Sequence, residues 1–213
     1  MKNTESLFIE NQQMKLEAEL YESDADKSTI VLMTHPHPGY GGTMHNNVVS
    51  ELFETFIKND ISCLRFNFIG VGSSQSKTSG EVDPISQVKQ CIDYISSQTS
   101  FSQILLCGYS YGAAMSCSAV NYSENIIGFV AISFPWDFMG SKYKELSKTS
   151  KPKLFIQGDR DNIAPYGNFM DHYESYEEPK SYRIISGANH FYRGYENQIS
   201  EEVLEFYHRI LNE

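Results

Sequence analysis

Short apolar runs separated by amphipathic stretches dominate the chain from residue 29 onward. The runs at 30–33, 61–66, 104–107, 127–132, 154–156 and 182–185 are brief, rich in β-branched and aromatic residues and mostly apolar. Strands of that kind are expected to be covered on both faces. Between them, residues 45–58 carry Val48, Val49, Leu52, Phe53, Phe56 and Ile57 at helical spacing. Asp83 and Pro84 form an N-cap and first-turn pair ahead of Ile85, Val88, Ile92 and Ile95, and residues 195–211 make a closing amphipathic helix through Ile199, Val203, Phe206, Tyr207 and Ile210. A small-residue run at 113–120 also reads as helix. Strands alternating with helices need crossover connections, so the pattern predicts an α/β fold with a mainly parallel central sheet and helices on both faces.

Upstream, residues 7–10 and 14–20 read as two strands joined by a polar turn at 11–13. Partial polar/apolar alternation in the second suits an antiparallel edge. The longest irregular stretches, 68–82 and 133–153, are expected on the surface. No internal repeat, low-complexity tract or linker divides the chain.

At 213 residues and 40% hydrophobic content, the chain can bury one substantial core, and residues 1–213 read as a single domain. A net charge of -10 with no basic run disfavours a nucleic-acid partner. Cys63, Cys91, Cys107 and Cys117 form no Cys-x-x-Cys pair and no cluster with histidines, which argues against both a zinc site and a disulfide framework. The first ten residues hold no apolar signal-like core, and no apolar run approaches the roughly 20 residues that span a bilayer. A cytoplasmic protein without a membrane span is therefore expected; the oligomeric state is not legible.

Candidate chemistry centres on Gly108-Tyr109-Ser110-Tyr111-Gly112, which lies between an apolar strand and a helical run. A serine at the tip of such a turn has its Oγ held clear of both elements, and flanking glycines admit backbone where a Cβ would clash. Ser110 is thus a candidate nucleophile, needing a base, an orienting acid and oxyanion donors. His190 follows the last strand and is the candidate base. Asp159 and Asp161, in the turn after the strand at 154–156, both qualify as the acid. The backbone N–H of Tyr111 is one expected oxyanion donor, and that of His37, set between Pro36 and Pro38, is the other. His35 and His37 form a His-x-His pair whose alternative reading is a metal site, although a stiff loop explains it better. Tyr40, Trp136 and Phe191 are candidate substrate contacts. For Trp136, in the apolar group of Phe134, Trp136, Phe138 and Met139, local packing is the competing reading.

Ser, Asp and His in that chain order on this pattern resemble the α/β-hydrolase superfamily. More narrowly, the chain resembles the small, cap-less, dienelactone-hydrolase-like bacterial branch. That likeness rests on His35-Pro36-His37-Pro38, Gly41-Gly42-Thr43-Met44, Leu64-Arg65-Phe66-Asn67-Phe68 with Gly70-Val71-Gly72-Ser73, the Ser110 pentapeptide, and Gly187-Ala188-Asn189-His190-Phe191. The resemblance implies an α/β-hydrolase fold without a lid domain and a cofactor-free serine hydrolase acting on small-molecule esters. Within it, Ser110 would be nucleophile, His190 base and acid, and Asp161, between Gly158 and Pro165, the orienting acid, with Asp159 the runner-up. Two departures stand out. Dienelactone hydrolases proper use cysteine where this chain has Ser110, and the usual His-Gly of the oxyanion loop is His35-Pro36. A non-catalytic binding protein on the same fold is the reading from a different class.

Overall fold

The computed structural model describes residues 3–212. One sheet runs through the molecule in the order β1 (Glu5–Glu10), β2 (Met14–Tyr21), β4 (Cys63–Phe66), β3 (Thr29–Thr34), β6 (Gln103–Tyr109), β7 (Ile126–Ile132), β8 (Lys153–Gly158) and β9 (Lys180–Ile185). The two-residue strand β5 (Gln75–Ser76) hangs off β2. From β4 to β9 every pairing is parallel, whereas β2 is antiparallel to each of its neighbours.

The central strands sort their side chains by alternation even though both faces are apolar. In β3, Ile30 and Leu32 enter one core while Val31 and Met33 enter the other; in β6, Ile104 and Leu106 oppose Leu105 and Cys107 in the same way. The first core is covered by α2 (Pro84–Gln98) and α3 (Tyr111–Cys117), the second by α1 (Asn47–Lys58) and α7 (Glu196–Asn212). Local chemistry starts the first two helices. Asn46 accepts the Val48 N–H at 3.0 Å, and Asp83 accepts that of Ile85 at 3.2 Å ahead of Pro84, whose missing N–H costs nothing in a first turn.

Several expectations are corrected. β2 is not an edge, because β1 pairs along its outer side through six residue pairs. The stretch 133–153 is neither irregular nor wholly superficial: it forms α4 (Trp136–Met139) and α5 (Ser141–Leu146), and Phe134 and Trp136 are buried. Likewise, Phe68, Val71 and Ser74 are buried within 68–82. A further short helix, α6 (Phe169–Glu174), lies between β8 and β9. Between β7 and β8 there is no lid, only α4 and α5. Cys63, Cys91, Cys107 and Cys117 are buried, unpaired thiols. Among the described residues, no helix is long and apolar enough to cross a membrane.

Strand order sets where a ligand can go. After β3 the chain crosses to β4 on one side, then returns to β6 on the other, so the loops after β3 and β6 diverge at the carboxyl edge and leave a crevice.

Candidate active site

Ser110 occupies the single-residue turn between β6 and α3 at φ 56° and ψ -120°. A non-glycine residue there is strained by an order of 1–3 kcal/mol, and the Ser110 N–H fixes it by donating to Ile132 O on β7 at 2.8 Å. The glycines beside it are required by contact. A Cβ at Gly108 would lie 2.5 Å from Ala113 Cα, and one at Gly112 would lie 2.5 Å from Thr34 O. Ser110 itself is 7% exposed, at the carboxyl end of β6.

The loop after β9 carries His190 over this turn, with Nε2 2.9 Å from Ser110 Oγ and Nδ1 2.8 Å from Asp161 Oδ2. Asp161 is buried in the turn after β8. Its Oδ1 accepts the N–H groups of Ile163 and Ala164 at 2.9 and 2.8 Å, and its Oδ2 also accepts the Ser133 hydroxyl at 2.7 Å. Burial alone would raise this carboxyl, but the His190 contact and charge, the Ser133 hydroxyl and the Ala164 amide outweigh it and hold the group below its ordinary value. An ionised carboxylate can only accept, so His190 Nδ1 carries the proton and Nε2 offers its lone pair to the Ser110 hydroxyl. The Tyr109 phenol donates to the His190 carbonyl and fixes the backbone from below.

Asp159 lies apart from this group. Its Oδ1 accepts the Gly187 N–H at 2.7 Å and its Oδ2 the Ser186 hydroxyl at 3.2 Å, tying the β8 turn to the loop that carries His190.

The loop after β3 packs on the start of α3, where the Thr34 hydroxyl donates to Gly112 O at 2.9 Å. The His37 and Tyr111 rings meet edge to face at 4.7 Å. As first residue of α3, Tyr111 has no carbonyl one turn back for its N–H. In the His-x-His pair both ring nitrogens of His35 and one of His37 are hydrogen-bonded within the loop. His35 Nε2 accepts the Phe68 N–H at 3.0 Å while Nδ1 donates to Pro36 O at 2.6 Å, and His37 Nδ1 accepts the Gly39 N–H at 3.0 Å. Burial, only partly offset by the Pro36 contact, pushes His35 down to about 4, which keeps it neutral. Both side chains brace the loop, and among the described residues no group of three or more His, Cys, Asp or Glu is placed to hold a metal ion.

A family model described as an alpha/beta hydrolase domain matches residues 27–205. The chain belongs to the α/β-hydrolase family. An uncharacterized protein of Rickettsia prowazekii (strain Madrid E) is 28% identical over 207 residues, covering 94% of this chain and 87% of its own. Among solved structures, an alpha-beta serine hydrolase homologue from Coxiella burnetii is 28% identical with a TM-score of 0.82, covering 96% of this chain and 97% of its own. A putative alpha/beta hydrolase from Agrobacterium tumefaciens is 29% identical with a TM-score of 0.84, covering 98% and 97%. A serine hydrolase from Xanthomonas campestris described as without lid shares the fold at 23% identity and a TM-score of 0.81, covering 98% and 95%.

Around the mouth of this α/β hydrolase, Tyr40 is 80% exposed beside His37, and Phe191 is 56% exposed beside His190. A depression of about 390 Å³ lies against the His190 loop, lined by Gly187, Asn189, Phe191, Arg193 and Tyr195. Trp136 departs from its expected place. It is 6% exposed, stacked between Phe134 and His172, and its indole N–H donates to the Tyr176 hydroxyl at 3.0 Å. It packs into the first core, which favours the local-packing reading over the substrate contact. Ser133, Tyr109 and Tyr192 went unnoticed in the sequence; their one signal was position, at the ends of β7 and β6 and two residues past His190.

Proposed function

We propose that this protein is a serine hydrolase cleaving carboxylic esters or thioesters of small molecules through an acyl-enzyme. The observation that carries the reading is the unbroken line from Asp161 Oδ2 through His190 to Ser110 Oγ, at 2.8 and 2.9 Å, in the crevice at the carboxyl edge of the sheet. Ser110 Oγ attacks the carbonyl carbon as its proton passes to His190 Nε2. Asp161, ionised and fully hydrogen-bonded, stabilises the imidazolium. The oxyanion is taken up by the N–H groups of Tyr111 and His37. The intermediate collapses as the leaving alcohol or thiol takes the proton from His190. Water, deprotonated by His190, then attacks the acyl carbon, and the acid departs with Ser110 restored. No step requires a cofactor. A cytoplasmic setting is part of the proposal, supported by the four buried, unpaired thiols.

Treatment with a fluorophosphonate followed by peptide mass spectrometry is expected to place the adduct on Ser110, and Ser110→Ala is expected to abolish both labelling and hydrolysis of activated esters while leaving the circular dichroism spectrum unchanged. An adduct at another residue, or full turnover by the alanine variant, would overturn the assignment.

A further inference from the structure

Asp161 accepts four hydrogen bonds, and two of its donors, the Ile163 and Ala164 amides, belong to its own turn. A third is His190. The fourth, the Ser133 hydroxyl, comes from immediately after β7, next to Ile132, whose carbonyl holds the Ser110 N–H. Ser133 is fully buried and held at φ 47°, with its N–H donating to Ile156 O on β8 at 2.8 Å. That contact fixes its backbone between β7 and β8, and the acceptor-only Asp161 carboxylate takes its single hydroxyl proton. Since the proton goes to the Asp161 carboxylate, Ser133 Oγ can only accept from the Tyr192 phenol 2.7 Å away, and Tyr192 must donate. Tyr192 is also fully buried, at φ 53°, two residues beyond His190. The contacts therefore close a ring, from His190 to Asp161, to Ser133, to Tyr192 and back along the chain to His190. Two buried, strained residues making one hydroxyl chain onto a carboxylate are more than core packing needs, since alanine and phenylalanine would fill the same space.

We propose that Ser133 and Tyr192 are positioning residues, which hold the Asp161 carboxylate in the single orientation that His190 requires, with Tyr192 acting chiefly through Ser133. The inference rests on the serine-hydrolase reading for its kinetic consequence but not for its geometry. Without the Ser133 hydroxyl, Oδ2 loses one of two donors and its charge falls more heavily on the His190 N–H. Without the Tyr192 hydroxyl, Ser133 keeps its contact but loses the polarisation that strengthens it.

The test uses the full chain as wild type, Ser133→Ala, Tyr192→Phe and the double variant. p-Nitrophenyl acetate hydrolysis is normalised to the fraction of Ser110 titrated by fluorophosphonate, and the downfield proton resonance of His190 Nδ1–H is recorded by NMR. Ser133→Ala is expected to lower kcat about ten-fold with KM within about two-fold, as outer partners of an active group commonly do. Tyr192→Phe should lower kcat about three-fold, and the double variant should be no worse than Ser133→Ala, because non-additivity marks residues acting in series. The resonance should move in both single variants. Loss of packing alone would lower the melting temperature and leave the resonance in place. An unmoved resonance in folded Tyr192→Phe, the milder change, overturns the inference whatever the rates, and additive losses in the double variant overturn the serial order. If wild type neither labels nor turns over, the hydrolase reading fails, while the resonance still decides the positioning role.

Discussion

Asp159 and Asp161 stand two residues apart on one turn, and only their partners separate their work. Asp161 meets His190, Ser133 and two amides, whereas Asp159 holds Gly187 and Ser186. Asp161→Asn is expected to lower kcat by roughly 10³- to 10⁴-fold, because an amide can offer its NH₂ to Nδ1 and favour the tautomer that leaves Ser110 without a base. Asp159→Asn keeps an acceptor for the Gly187 N–H and should cost less than about ten-fold. Kinetics of both variants on one ester check the ranking, and the reverse order would move the acid to Asp159. His35 gives a second prediction at this scale. Burial holds its imidazole down to about 4 in the folded protein, against about 6.5 for the unfolded chain. Between those values only the unfolded chain takes up the proton. Its contribution is thus complete above about pH 6.5 and is lost as the pH falls to about 4, by an order of 3 kcal/mol. His35→Gln should be less stable than wild type at pH 7.5, with the gap narrowing toward pH 4.5. Urea midpoints across that range test it, and parallel pH dependences would refute the assignment.

Elements were legible from sequence where a single local rule decided them. Short, mostly apolar runs marked the parallel strands, and Asn46 and Asp83, backed by helical periodicity, start helices as side-chain caps. The Ser110 turn could be read because glycine is forced at 108 and 112 by atoms 2.5 Å away. What escaped notice depends on contacts distant in sequence. α4, α5 and α6 are four to six residues long, too short for periodicity to register, and α4 and α6 are held by the aromatic cluster of Phe134, Trp136, Phe155, Phe169 and Tyr176. The same long-range packing decides Trp136, which sequence alone left open between substrate contact and core. Trp136→Phe removes the hydrogen bond to Tyr176 and part of the stack on His172, at a cost of about 1–3 kcal/mol. Its melting temperature should fall while KM and kcat per folded molecule stay within about two-fold of wild type. A several-fold rise in KM at unchanged stability would return Trp136 to the substrate site.

At the scale of the whole molecule, topology places the site at the edge of the sheet, and the short β7–β8 connection leaves it uncovered. Tyr40 beside His37 and Phe191 beside His190 are themselves mostly in solvent. An acyl chain extending from the serine ester therefore passes quickly out of contact with the protein. Complete burial would contribute about 0.8 kcal/mol per methylene, or close to four-fold in kcat/KM for each carbon added. An open rim can return that gain for the first few carbons only. We expect kcat/KM for p-nitrophenyl esters to rise by no more than about ten-fold from two to four acyl carbons and to stay level or fall from there to twelve. A steady climb across the whole series, at concentrations below the micellar limit of the longer esters, would mean that the rim aromatics close over the chain and that the free crevice does not represent the bound one.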